Sequence, residues 1–259
     1  MEEIHVERSD RGVVTLTLNR PHRKNAIPGS MWEPLRQIFH EVRTNDADRV
    51  LVITGAGGDF CSGADLATNA GDLLGTHPLR SMSSVNACAL ALHEVDVPTI
   101  AKVRGNAVGA GMNLALGCDL IVASENARFC EVFARRALSV DFGGTWLLPR
   151  IVGMHRAKEL ALLADMLSAK EAQAMGIVNR VVPDAELDGF VDDWARRLAE
   201  GPPLALQLSK RMLSNSLASS FAEALDAEAS AQSVNLVSRD TREGVAAFLE
   251  KRSPTFEGR

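Results

Sequence analysis

Tyrosine is absent from the 259 residues. Every mechanism that rests on a phenolic acid or a phenolic oxyanion donor is excluded with it. Cysteine is scarce: Cys61, Cys88, Cys118 and Cys130 form no C-x-x-C pair and have no partner histidine at ligand spacing. That argues against a disulfide framework and against a bound metal. No apolar run reaches the ~18 residues that cross a bilayer, and Met1 is followed by Glu2 and Glu3 rather than by a secretory leader. The expectation is a cytoplasmic protein without a membrane partner. Lys and Arg are scattered, and a net charge of -5 gives no nucleic-acid footprint. Internal repeats and low-complexity tracts are missing as well.

What is present is an ordinary globular chain, 46% hydrophobic and 24% charged, long enough to bury a large core. Residues 3–8 and 12–19 read as strands joined at Asp10-Arg11-Gly12, the second alternating apolar residues with threonine. Ser30 is placed to cap a helix running to Thr44, with Glu33 as its capping-box partner. Val50 to Thr54 is an unbroken apolar run of the kind buried on both faces of a sheet. Residues 67–80, rich in Gly, Thr, Asn and Pro, read as a mobile stretch over a site. A helix over 81–95 then leads to a strand at Thr99 to Val103, and Asp119 to Ala123 forms another. From Ser168 the pattern is mostly helical, over 168–175, 184–200, 203–215, 217–237 and 241–251. Strands with helices first and helices last predict one α/β domain with a helical C-terminal section.

The chemistry-bearing stretch is Lys102 to Asp119, where Gly105, Gly109 and Gly111 separate an apolar strand from a helical pattern. Glycines at such a turn let the backbone approach a ligand closely. A helix beginning there aims free N–H groups at an anion, or at an oxygen that becomes anionic during a reaction. The tight Gly63-Ala64 turn can supply a second donor. Gly109-Ala-Gly111 is no dinucleotide fingerprint, because Leu114 stands where the third glycine belongs.

Asp59-Phe-Cys-Ser-Gly-Ala-Asp-Leu66 and Gly105-Asn-Ala-Val-Gly-Ala-Gly-Met-Asn-Leu114 together resemble the two oxyanion-hole segments of the crotonase (enoyl-CoA hydratase/isomerase) superfamily. Leu18 to Ala26, Gly143 to Trp146, Ala174 to Asn179 and Phe248 to Arg252 resemble further family segments in the family's order, so the likeness spans the chain. The resemblance implies an α/β spiral of strand–strand–helix (ββα) units over 1–200 and a helical trimerisation segment over 201–259, assembled as a homotrimer or dimer of trimers. It also implies an acyl-CoA thioester substrate, no separate cofactor, and an enolate held by the N–H groups of Ala64 and Ala110. Gly63, Asp65, Leu66, Gly109, Gly111, Asn113, Phe133, Phe142 and Ala26 are expected around the substrate, with Arg23, Lys24 and Lys251 toward the CoA phosphates.

The sequence departs from a hydratase at both water-activating glutamates, whose matching positions are Asn113 and Phe133. Asparagine orients water but takes up no proton, and Glu131 falls two residues out of register with the second site. Asp141 stands where double-bond isomerases of the superfamily, including the ring-epoxide isomerase type, carry a catalytic aspartate. Its apolar neighbours Leu138, Val140, Phe142 and Trp146 would raise its pKa and make it a useful base. The expected reaction is a 1,3-proton shift by Asp141, with 2-enoyl-CoA hydration as the alternative. The bland role for Asp141 is a cap on the helix opening near Gly143, which would leave a non-catalytic acyl-CoA-binding homologue.

Overall fold

The computed structural model describes residues 3–67 and 78–259. Most of the stretch expected to cover the site, residues 67–80, lies outside the described residues. β1 (Ile4–Arg8) and β2 (Val13–Leu18) form the expected antiparallel hairpin. β3 (Val50–Gly55) joins β2 in parallel. β4 (Thr99–Val103), β5 (Asn106–Val108), β6 (Leu120–Ser124), β7 (Arg128–Cys130), β8 (Leu167–Ser168) and β9 (Arg180–Val182) complete the strands. They fall into a six-stranded sheet, β1-β2-β3-β4-β6-β9, and a three-stranded one, β5-β7-β8.

The two sheets arise from one repeated step. A strand of the large sheet, β4 or β6, is followed at once by a short strand of the small sheet, β5 or β7, and then by a helical turn. This is the strand–strand–helix spiral. β3 shows why its sequence is apolar from Val50 to Ile53. Leu51 and Ile53 face one core, with Leu16, Phe39 and Ala101, while Val50 and Val52 face a second core closed by Leu187, Val191 and Ala195. Successive side chains alternate faces, and both faces are covered.

The helices are α1 (Trp32–Thr44), α2 (Pro78–His93), α3 (Ala110–Leu116), α4 (Gly144–Val152), α5 (Met154–Leu163), α6 (Ala169–Ala174), α7 (Leu187–Ala199), α8 (Pro203–Asn215), α9 (Phe221–Val237) and α10 (Arg239–Glu250). The Ser30 capping box does not form. Gly29–Met31 is a 3-10 turn, no side chain caps α1, and Glu33 instead pairs with Arg36 within the helix. Reciprocal capping boxes occur at α6, between Ser168 and Glu171, and at α9, between Ser220 and Glu223. The helical C-terminal section is present as expected, and Lys210 ties α8 to the core through Asp119 at 2.7 Å and the Val97 carbonyl at 2.9 Å.

Candidate active site

Two loops that leave adjacent strands of the large sheet are stitched into parallel register. Phe60 N donates to the Arg104 carbonyl (2.7 Å), Cys61 N to Asn106 (2.8 Å), and Val108 N back to Cys61 (2.9 Å). The pairing sets Cys61 opposite Ala107, so Ala64 and Ala110 each lie three residues beyond the paired position. The buried Asn25 and the half-buried Asp59 lock this arrangement. Asp59 Oδ1 accepts from the Asn106 backbone N–H at 2.9 Å, and Asn25 Nδ2 donates to the carbonyls of Ala56 and Asp59. Gly63 has φ +96°, and a Cβ on it would come within 2.8 Å of the Val108 carbonyl, so only glycine lets the loops close this far.

Among the described residues, local pairing leaves both donors free. Ile27 N donates to the Gly63 carbonyl and Asp65 N to the Ile27 carbonyl, so Ala64's own N–H points away from that ladder. Ala110 is the first residue of α3, whose first N–H groups have no partner within the helix. Both residues line a cavity of about 790 Å³. Its apolar wall includes Trp32, Leu66, Val85, Val108, Phe133 and Leu138.

Asp141 lines the same cavity and is the one carboxylate among its described lining residues. Burial raises its pKa to about 6. The cap reading is overturned: Gly143 is the N-cap of α4 without any side-chain cap, and Asp141 accepts the Gly144 N–H through its carbonyl, leaving its carboxyl uncommitted. Phe142, forced to φ +49°, tucks its ring 5.5 Å from that of Trp32 and so turns Asp141 toward the cavity.

Of the other expected substrate contacts, Gly63, Leu66, Gly109, Phe133 and Lys24 line the cavity. The rest have other tasks. Asp65 is buried and ion-paired with Arg20 at 2.9 Å, so its carboxylate braces the loop. Gly111 packs directly on Cys61, where a Cβ would overlap the backbone. Ala26 presents its carbonyl to Arg20 (2.6 Å), and Phe142 is core. Asn113 is fully buried beneath the cavity, where its Nδ2 donates to the Asp141 carbonyl at 2.9 Å. Arg23 is exposed beside the site, and Lys251 closes α10 in a left-handed conformation; neither lines the cavity.

Sequence reasoning set Glu131 aside, yet its carboxylate lies against Asn113 Nδ2 (3.4 Å), 1% exposed, with a pKa pushed to about 8 by burial and by the charge of Asp141. Phe133, on the 3-10 turn Val132–Arg136, lines the cavity, and Glu131, the residue just before that turn, is buried beneath it. A buried Glu beside a cavity-lining Asp has no periodic signature that would have revealed it.

The family model for enoyl-CoA hydratase/isomerase matches residues 8–259. The chain belongs to that family. It is 40% identical, over the whole of both chains, to a 1,2-epoxyphenylacetyl-CoA isomerase of Escherichia coli. It is 32% identical to the human mitochondrial methylglutaconyl-CoA hydratase over 98% of this chain and 76% of that one. The crystal structure of an enoyl-CoA hydratase from Bacillus anthracis superposes with a TM-score of 0.94 at 32% identity, covering 100% of both chains. The spiral of this enoyl-CoA hydratase/isomerase family member is thus the crotonase fold. Among the described residues, no group of His, Cys, Asp and Glu could hold a metal ion, and no helix is long and apolar enough to cross a membrane.

Proposed function

We propose that this family member isomerises an enoyl-CoA thioester by a 1,3-proton shift, with Asp141 as the base. The observation that carries the reading is that, among the described residues, Asp141 is the one carboxylate lining a cavity that also presents two backbone donors without a partner. A thioester oxygen between the Ala64 and Ala110 N–H groups gains charge as the proton leaves C2. Such donors are typically worth ~3–4 kcal/mol each in the transition state. Asp141 takes the C2 proton and returns it at C4, so a 3-enoyl thioester becomes the conjugated 2-enoyl thioester. The step moves one proton, changes no oxidation state and calls on no cofactor beyond the CoA of the substrate. The Lys24 ammonium at the cavity's edge supports an anionic ligand such as CoA. A carboxyl with its pKa raised to about 6 remains ionised at neutral pH while being a stronger base than an exposed aspartate.

Ultraviolet absorbance of the conjugated thioester tests this directly. Absorbance is expected to rise when enzyme is added to 3-enoyl-CoA. Asp141→Asn is expected to cut that rate by roughly 10²- to 10⁴-fold while leaving CoA-thioester binding intact. Hydration of 2-enoyl-CoA is the competing reaction, and the human relative's name denotes a hydratase. Falling absorbance with 2-enoyl-CoA that survives Asp141→Asn would sink the isomerase reading.

A further inference from the structure

Beneath the cavity, α3, the end of β7 and the turn before α4 bring together a polar cluster around Asp141, two of whose members, Asn113 and Glu131, the proton shift does not itself use. Asn113 and Glu131 are 0% and 1% exposed. Asn113 Nδ2 donates to the Asp141 carbonyl (2.9 Å) and to Glu131 Oε2 (3.4 Å), which occupies both hydrogens of the amide. Among the described residues, three oxygens are then buried with no partner: Asn113 Oδ1, Glu131 Oε1 and Asp141 Oδ1. The Gly144 backbone packs on the Asn113 amide so closely that a Cβ there would overlap it.

With both carboxyls ionised, each of these oxygens is an acceptor and the cluster contains no further donor. Two negative charges would share an apolar environment, at a cost that burial makes severe. One retained proton converts an acceptor into a donor and removes a charge. Glu131 is the carboxyl placed to keep it, because Asp141 opens onto the cavity and Glu131 does not. The surroundings agree. Burial and the charge of Asp141 raise the proton affinity of Glu131 above that of Asp141. Cys130, its chain neighbour, has its own thiol pushed up by burial, and Arg135 on the following turn is spent on a surface pair with Asp165 at 2.8 Å.

We propose that Glu131 is a positioning residue for Asp141: held as the neutral acid against Asn113, it supplies the donor the buried cluster lacks and leaves Asp141 as the carboxyl that ionises. The proposal rests on Asp141 being the base. Ionising Glu131 at alkaline pH would set a second negative charge beneath Asp141 and leave the cluster without a donor, so the turn that aims Asp141 would rearrange.

The test is kcat for 3-enoyl-CoA isomerisation against pH. The wild type is expected to rise through about pH 6 and fall through about pH 8, reporting the two carboxyls in turn. Glu131→Gln mimics the neutral acid and cannot ionise, so it is expected to abolish the alkaline fall. Glu131→Leu removes the hydrogen-bonding group and is expected to lower kcat on the order of tenfold or more, with KM within about twofold. A Glu131→Gln profile that superimposes on the wild type, alkaline limb included, would overturn the proposal. Infrared spectroscopy of the wild type and of Asp141→Asn needs neither turnover nor a folded Glu131 variant. Both should show the carbonyl band of a protonated carboxyl at about pH 7, bleached only above the pH at which Glu131 ionises. Absence of that band in both would refute the neutral Glu131. A wild type that shows the band but does not isomerise would fell the Asp141 reading alone.

Discussion

Three acidic side chains near the cavity have the same chemistry and three different environments. Asp65, next to a donor in sequence, is drawn into an ion pair with the buried Arg20, which also reaches Glu3 at 2.9 Å. Asp141 faces the cavity with its carboxyl uncommitted, and Glu131 lies beneath it in the cluster with Asn113. Environment, more than residue type, divides the work among them. It also makes stability depend on pH. A carboxyl whose pKa is raised on folding binds more protons in the folded state than in the unfolded one, so stability falls as pH rises through the interval between the two values. For Glu131 that interval runs from 4.5 to about 8, and for Asp141 from 3.8 to about 6. At about 1.4 kcal/mol per unit, the loss by the end of the Glu131 interval is a few kcal/mol. The wild-type Tm is therefore expected to fall between about pH 5 and pH 8. Glu131→Gln should flatten that slope and melt several degrees above the wild type at about pH 8. A variant that melts below the wild type at every pH would mean that Glu131 is ionised and stabilising.

At the scale of elements, the site depends on two loops held closer than side chains normally permit. Gly111 lies against the Cys61 carbonyl with no room for a methyl group. Gly111→Ala is expected to destabilise the fold by about 1–3 kcal/mol, because backbone has to move. It should also lower kcat more than Tm alone explains, since the shift falls on the Ala64–Ala110 donor pair. Denaturant titration beside kcat measures both, and an unchanged kcat would mean that the donors are set by something other than this contact. The glycines, the β3 run and the chain order of the two donor turns were legible in the sequence because each follows from local chemistry. So was Asp141, through the resemblance of its segment. The small sheet was harder to read, since β5, β7 and β8 span only two or three residues each, too few to show a period. Phe142, expected around the substrate, takes a left-handed backbone and packs its ring against Trp32, a placement that no local pattern in the sequence shows. Glu131 could not be found from spacing, because a 3-10 turn sets its direction.

At the scale of the whole molecule, the C-terminal helices are built unlike the rest. α8 contains no buried residue, and α9 contributes only Ala231 to the buried set. Large apolar side chains here are instead turned outward: Leu213 is 73% exposed, Leu217, on the turn between α8 and α9, 67%, Phe221 81%, Val237 72% and Phe248, on α10, 81%. Single exposed apolar residues are normal on protein surfaces, but a run of this density marks a surface that another molecule covers. Self-association is the reading we favour, as a homotrimer or dimer of trimers, because a 17-residue helix with one buried side chain cannot be held in place by its own packing. Sedimentation equilibrium is expected to return three or six times the 27.9 kDa of one chain. Phe221→Glu combined with Phe248→Glu should shift the mass toward one chain and make Tm independent of protein concentration, whereas the wild-type Tm should rise with concentration. A wild type that sediments as a single chain at micromolar concentration would refute self-association and leave this surface to a different partner.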